Sequence, residues 1–153
     1  MSQADRIAIR RARPGDAAAV KDLVAQLGYR PAERSYDETF AQVVRHPEAA
    51  VFIAQDGARV LGYIALSYRP QIRLAARVAS IDELAVAGDA QGAGIGSQLL
   101  DTAIAHARSM GCERIEVLSA RARESYRRGF YSGRGLSEVD SAVFRIDDAN
   151  RRK

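Results

Sequence analysis

The sequence is poor in the residues that build several familiar kinds of site. It holds one cysteine, Cys112, no tryptophan and two histidines in 153 residues. A single cysteine excludes an internal disulfide, and nothing in the cysteine usage points to an oxidising compartment. His46 and His106 stand far apart without a cysteine or carboxylate cluster beside them, so no metal is expected. Lysine is nearly as scarce: only Lys21 and Lys153 occur, and every other basic residue is Arg. No apolar run is long enough to cross a bilayer, so no membrane partner is expected. The opening MSQADRIAIRR lacks the apolar stretch of a signal peptide. The expectation is a soluble, cytoplasmic protein.

What is present suffices for one ordinary core. Hydrophobic residues make up 47% of the chain, and its length fits one domain, expected over residues 5–147 with a frayed tail at 148–153. The net charge is +4. The arginines are spread along the chain, densest at Arg6–Arg13, Arg121–Arg128 and 151–153, and are not interleaved with aromatics as in a stacking platform. A nucleic-acid partner is therefore not expected.

Residues Ile7–Arg10 alternate apolar and polar and predict a strand. Pro14-Gly15-Asp16 starts a helix whose stripe Val20, Leu23, Val24, Leu27 stops at Gly28. Ser35 with Glu38 at the box position predicts a second helix, capped at Ser35 and running to Arg45 before His46-Pro47. Ala50–Ala54 and Val60–Tyr68 around Gln55-Asp56-Gly57 predict a hairpin. A loop at Pro70–Ala76 and a strand at Ala79–Ala87 follow. Ile95, Leu99, Leu100, Ala103, Ile104 and Ala107 form the stripe of a long helix ending near Gly111, with His106 off the stripe and expected in solvent. A strand at Ile115–Ser119, a helix over Arg121–Tyr131 and one or two strands within Leu136–Ile146 complete the reading. Cys112 is expected to be buried and structural. A helical crossover makes the strands before and after the long helix parallel, whereas the hairpin strands are antiparallel. The fold class expected is α/β (α+β): a mixed, mostly antiparallel sheet with helices on both faces.

The segment LAVAGDAQGAGIGSQLL, Leu84–Leu100, places a glycine-rich turn between a strand and a helix. A helix N-terminus leaves amides unpaired and carries a partial positive charge, and small residues let an anion approach that backbone. The spacing Gly92, Gly94, Gly96 is G-x-G-x-G, not the dinucleotide G-x-G-x-x-G, and it follows the fourth strand instead of the first. A P-loop would need a lysine that this turn lacks.

Gln91-x-x-Gly94-x-Gly96 resembles the Q/R-x-x-G-x-G/A pattern of the GNAT superfamily of N-acetyltransferases, and Phe130-Tyr131-x-x-x-Gly135-Leu136 resembles its F-Y-x-x-x-G-F segment. The opening IRRARPGDAAAVKDLVAQLGY and the order of elements agree, so the resemblance spans essentially the whole chain. It implies acetyl-CoA as co-substrate, with the pyrophosphate on the backbone of Gln91, Gly92, Ala93, Gly94, Ile95, Gly96 and Ser97. It also implies that the strand carrying Leu84, Ala85 and Val86 splays from the next one, so that the pantetheine arm pairs with their main chain and an N–H of Leu84 or Val86 faces the thioester oxygen. Tyr131 occupies the family's general-acid position; a ring packed beneath the cofactor helix is its other reading. Glu83 is the candidate base, with neighbouring Asp82 or ordered water as alternatives. Tyr29 and Arg69 are candidates for the acceptor pocket, as are Tyr36 and Tyr68, although Tyr36 and Phe40 at i, i+4 also fit helix packing. At Glu124 and Arg127 the chain departs from the family's pattern. The implied activity is acetyl transfer by direct attack of an acceptor amine, a small molecule or a protein amine. A non-catalytic acyl-CoA-binding sensor or partner domain would keep the turn while losing the proton-transfer groups. Pairing of the final strands between subunits would make a homodimer.

Overall fold

The computed structural model describes residues 2–148, which fall into two compact units, one ending at Leu118 and the other starting at Ser119. Residues 149–153 of the expected tail lie outside the described residues.

The first unit begins with a short helix α1 (Gln3–Arg6) and strand β1 (Ile7–Arg11). A 3-10 turn at Pro14–Asp16 leads into α2 (Ala17–Gln26). Asp16 holds this corner: its carboxylate accepts the Arg13 N–H at 2.7 Å and two guanidinium bonds from Arg10 at 2.8 Å each. Helix α3 (Glu33–Arg45) starts two residues before Ser35, with Ala32 at its N-cap. The expected capping box therefore does not form, and Ser35 lies inside the first turn. Strands β2 (Ala49–Asp56), β3 (Arg59–Gln71) and β4 (Ala76–Val86) follow as antiparallel neighbours, β3 and β4 both longer than expected. Helix α4 (Ile95–Ser109) then crosses to β5 (Cys112–Val117), which is parallel to β4. The sheet runs β1-β2-β3-β4-β5. It is mixed and mostly antiparallel, with helices flanking it, as the sequence predicts.

Helices α2 and α3 pack against the sheet through Val20, Phe40 and their neighbours, and α4 packs through Ile95, Leu99 and Ala103. At Gly62 the sheet and α4 come so close that a β-carbon would stand 2.9 Å from the Ala85 carbonyl oxygen and 3.1 Å from Leu99 Cδ1. His106, expected in solvent, is half-buried between the rings of Phe52 (5.3 Å) and Tyr68 (5.9 Å). Burial and the charge of Arg11 lower its pKa. Its ring serves as flat packing surface, a role that apolar periodicity does not register. Cys112 is buried, and burial raises its thiol pKa. No helix among the described residues is long and apolar enough to cross a membrane.

The second unit contains two single-turn helices, α5 (Glu124–Arg127) and α6 (Phe130–Gly133), where one helix was expected. Gly129 at φ 69° interrupts the helical path between them. Glu138 accepts hydrogen bonds from Arg121 (3.0 Å) and Tyr126 (2.8 Å). Residues 136–146, expected to supply one or two strands, form none. Val139, Val143, Phe144 and Ile146 are exposed, so the alternation that predicts a strand here has no sheet partner among the described residues. The pairing of final strands on which the homodimer expectation rested thus has no strand to use.

Candidate active site

Strand β4 changes partners at one residue. Ile81 pairs with Leu66 of β3 and with Val117 of β5; the next residue with a β3 partner is Glu83, opposite Ala65. Asp82 is the extra residue of a β-bulge. A bulge bends its strand, and β4–β5 pairing ends at Ile81–Val117. From Glu83 to Val86 the strand pairs with β3 alone among the described residues. Leu84, Ala85 and Val86 thus lie on a strand open along its β5 side.

Beyond Val86 the chain makes a short 3-10 turn at Gly88–Ala90 and reaches α4 through Gln91–Gly94. The turn is tied down from several sides. The Gly88 N–H donates to Gln26 Oε1 (2.9 Å), Arg59 pairs with Asp89 (2.6 Å), and the Gln91 side-chain Nε2 donates to the Val86 carbonyl (3.4 Å). Gly94 is the N-cap residue at φ 80°, ψ 10°, a left-handed conformation that costs a side-chain-bearing residue about 1–2 kcal/mol. The first bond of α4 runs from the Gln98 N–H to the Gly94 carbonyl (3.1 Å). The amides of Ile95, Gly96 and Ser97 therefore precede the helical ladder, as at any helix start. A β-carbon built on Gly92 or Gly94 would meet nothing within 4 Å, so the space in front of this backbone is open. Open backbone, leading amides and a positive dipole end are the requirements for a phosphate cradle.

On the α2–α3 face, antiparallel pairing puts Tyr63 opposite Ala85 and Ala65 opposite Glu83, so all four residues share one face. The Tyr63 hydroxyl donates to Glu83 Oε1 at 3.0 Å, a diagonal cross-strand contact. Tyr63, Ala65 and Glu83, with Val51 beside Ala65 on β2, form the sheet wall of a pocket of about 200 Å³ whose helical side includes Val20, Tyr36, Phe40 and Val43. Tyr36 and Phe40 stack with ring centres 6.3 Å apart. Glu83 is the charged side chain among the lining residues. Burial, followed by the charges of Glu83, Asp37 and Asp22, pushes the Tyr36 phenol up to about 12. Burial first and then Glu83 push Tyr63 higher still. Both phenols therefore remain protonated at neutral pH and can serve as donors.

The remaining sequence candidates are dispersed. Asp82, at the bulge, is exposed and does not line the pocket. Tyr29 is exposed and does not line it either. Arg69 lies four residues along β3 from Ala65, on the order of 13 Å at strand spacing, and is exposed. Tyr68 turns to the opposite face, against His106, with the Arg77 guanidinium 5.0 Å above its ring. Tyr131 lies in α6 of the second unit, its ring edge-on to Phe130 at 5.0 Å. Burial raises its phenol pKa while Arg123 acts in the lowering direction. Sequence reasoning missed Tyr63. A tyrosine in a strand reads as core, and its contact with Glu83 becomes visible only once the β3–β4 register is known. Among the described residues no group of three or more His, Cys, Asp or Glu side chains is placed to hold a metal.

Comparison with known proteins gives the family and the fold. The model of the acetyltransferase (GNAT) family matches residues 17–130. Among solved structures, a transcriptional regulator from Bacillus halodurans C-125 superposes with a TM-score of 0.83 at 24% identity, covering 93% of this chain and 99% of that one. An aminoglycoside acetyltransferase from an uncultured soil metagenomic sample gives 0.78 at 18%, covering 94% and 97%. Glucosamine-6-phosphate N-acetyltransferase from Arabidopsis thaliana gives 0.79 at 16%, covering 93% and 99%. At these identities the likeness is one of fold. A search of curated proteins finds no match. The family match spans most of the chain and includes the β4 edge, the glycine turn and the start of α4: the chain belongs to the GNAT acetyltransferase family.

Proposed function

We propose that the protein is an acetyl-CoA-dependent N-acetyltransferase that passes the acetyl group directly to an acceptor amine. The observation that carries this reading is the bulge at Asp82, which opens the β4 edge beside the glycine turn and presents Glu83 in an apolar pocket. Acetyl-CoA, when bound, supplies the acetyl group as an activated thioester. The backbone of Gln91–Ser97 would hold its pyrophosphate, and the main chain of Leu84, Ala85 and Val86 would pair with its pantetheine arm.

The chain's own residues then have two protons to move. An alkylammonium with a pKa near ~10 must lose a proton before its nitrogen can attack. Glu83 would receive it, held in place by the Tyr63 hydroxyl. As the new carbon–nitrogen bond forms and the carbon–sulfur bond breaks, the departing sulfur gains from a donor. Tyr131 is that donor in this proposal, on the strength of the sequence resemblance and of a phenol kept protonated by burial. Tyr131→Phe should lower turnover by about 100-fold while leaving CoA binding nearly intact, read by CoA release and by calorimetry. Unchanged turnover would remove Tyr131 from the mechanism.

A further inference from the structure

The chemistry of the pocket beside Glu83 points to a particular acceptor: a small primary amine bearing one ammonium group on an apolar, ring-sized body. This inference rests on the N-acetyltransferase reading and narrows it.

Three observations carry it. First, the buried part of the wall is apolar. Val20, Phe40, Val51 and Tyr63 are each less than one-tenth exposed, and Tyr36 adds a second aromatic face. Glu83 is exposed, as are Ala32, Ser35 and Thr39 of the lining, so it belongs to the open rim. An occupant would place its apolar body inward and its charge outward, toward the strand edge. Second, the charge is single and negative. No Lys or Arg is among the lining residues. A carboxylate or phosphate on the acceptor would enter without a partner, which is costly away from water. Asp22 and Asp37 stand near enough to Tyr36 to raise its pKa, so the surroundings favour a cation. Lys21, whose ammonium lies 5.6 Å over the Tyr36 ring and pairs with Glu33 at 3.1 Å, opposes a second ammonium near that ring. Third, the volume is about 200 Å³. That is below the roughly 300–1,000 Å³ of sites for drug-sized ligands, which favours an acceptor of one ring and a short arm over an oligosaccharide.

The family of acceptors that fits is that of the arylalkylamines and branched alkylamines. The ammonium would meet the Glu83 carboxylate, which is also the proposed proton acceptor, so binding and deprotonation share one group. Tyr63 acts through Glu83 as a positioning residue.

The test uses the full chain and four probes: 2-phenylethylamine, phenylalanine, putrescine and 2-phenylethanol. Binding is measured by calorimetry in the presence of CoA, and turnover by CoA release. 2-Phenylethylamine should bind and turn over with kcat/KM about 100-fold above phenylalanine or putrescine, and 2-phenylethanol should bind at least about tenfold more weakly. Glu83→Gln should abolish the preference for the amine over the alcohol while leaving acetyl-CoA affinity unchanged. Should that variant fail to fold, the ranking of probes on the unmodified protein still decides. Preference for phenylalanine or putrescine, with acetyl-CoA bound normally, would overturn the acceptor assignment alone. Binding of 2-phenylethylamine without CoA release under any condition would uphold the pocket chemistry and overturn the transferase reading. Failure to bind both acetyl-CoA and 2-phenylethylamine would overturn both.

Discussion

At the scale of single residues, Asp16 carries more than its place in a turn implies. Its carboxylate joins the entry of α2 to β1 through Arg10 and satisfies the Arg13 amide, and it is the buried charged residue of the first unit. The bonds from Arg10, opposed by burial and helped by the Arg13 amide, hold its pKa below the ordinary 3.8. A depressed folded-state pKa means the stabilisation is fully present above that ordinary value and is lost as pH falls through the folded one. Asp16→Asn should cost roughly 2 kcal/mol at pH 7, read from urea midpoints. The gap to the parent protein should narrow as pH drops below 3.8. A gap independent of pH would show that the charge contributes nothing. Pro14-Gly15-Asp16 was legible as a helix start, but the Arg10 partner was not, because the pairing depends on the angle at which β1 meets α2.

At the scale of elements, the five strands and the long helices of the first unit were readable, whereas the short helices and the segment after Leu136 were not. β1 and α4 follow their hydrophobic patterns closely because each buries one face or stripe, and β2 is readable as a short apolar run because it is buried on both faces. α3 began ahead of Ser35 because the turn before it accommodates Glu33 as the first helical residue. The helix over Arg121–Tyr131 broke at Gly129, whose positive φ no periodicity records. The glycine turn could be read since its chemistry is local. The pocket could not, because Glu83, Tyr63 and Phe40 come from three elements whose alignment is set by register and packing. Gly62 shows how tightly one of these alignments is drawn. Gly62→Ala would push a methyl against the Ala85 carbonyl and Leu99. It should destabilise the protein by about 1–3 kcal/mol and weaken acetyl-CoA binding through the displaced Ala85 strand. A thermal melt and a CoA titration check both, and full stability with normal binding would show that β3 yields there.

At the scale of the whole molecule, the proposed co-substrate should act as a folding ligand. A ligand present at 100 times its Kd adds about 2.7 kcal/mol, a rise in Tm of roughly 5–10 °C for a chain of this length. Acetyl-CoA should produce such a rise, and NAD and ATP should not. Equal stabilisation by ATP would return the glycine turn to generic nucleotide binding. The family match covers residues 17–130.

The extra residue at Asp82 has an evolutionary reading. Ile81 already faces Leu66 and Glu83 already faces Ala65, so losing Asp82 would restore unbroken alternation and leave every neighbour on its present side. A single-codon deletion would thus leave the core composition untouched while straightening β4. A straightened β4 would no longer turn its edge away from β5 after Ile81. Such a deletion variant should fold and melt normally yet gain no thermal protection from acetyl-CoA. If it does, one codon is the genetic distance between a closed sheet and a sheet that admits a ligand.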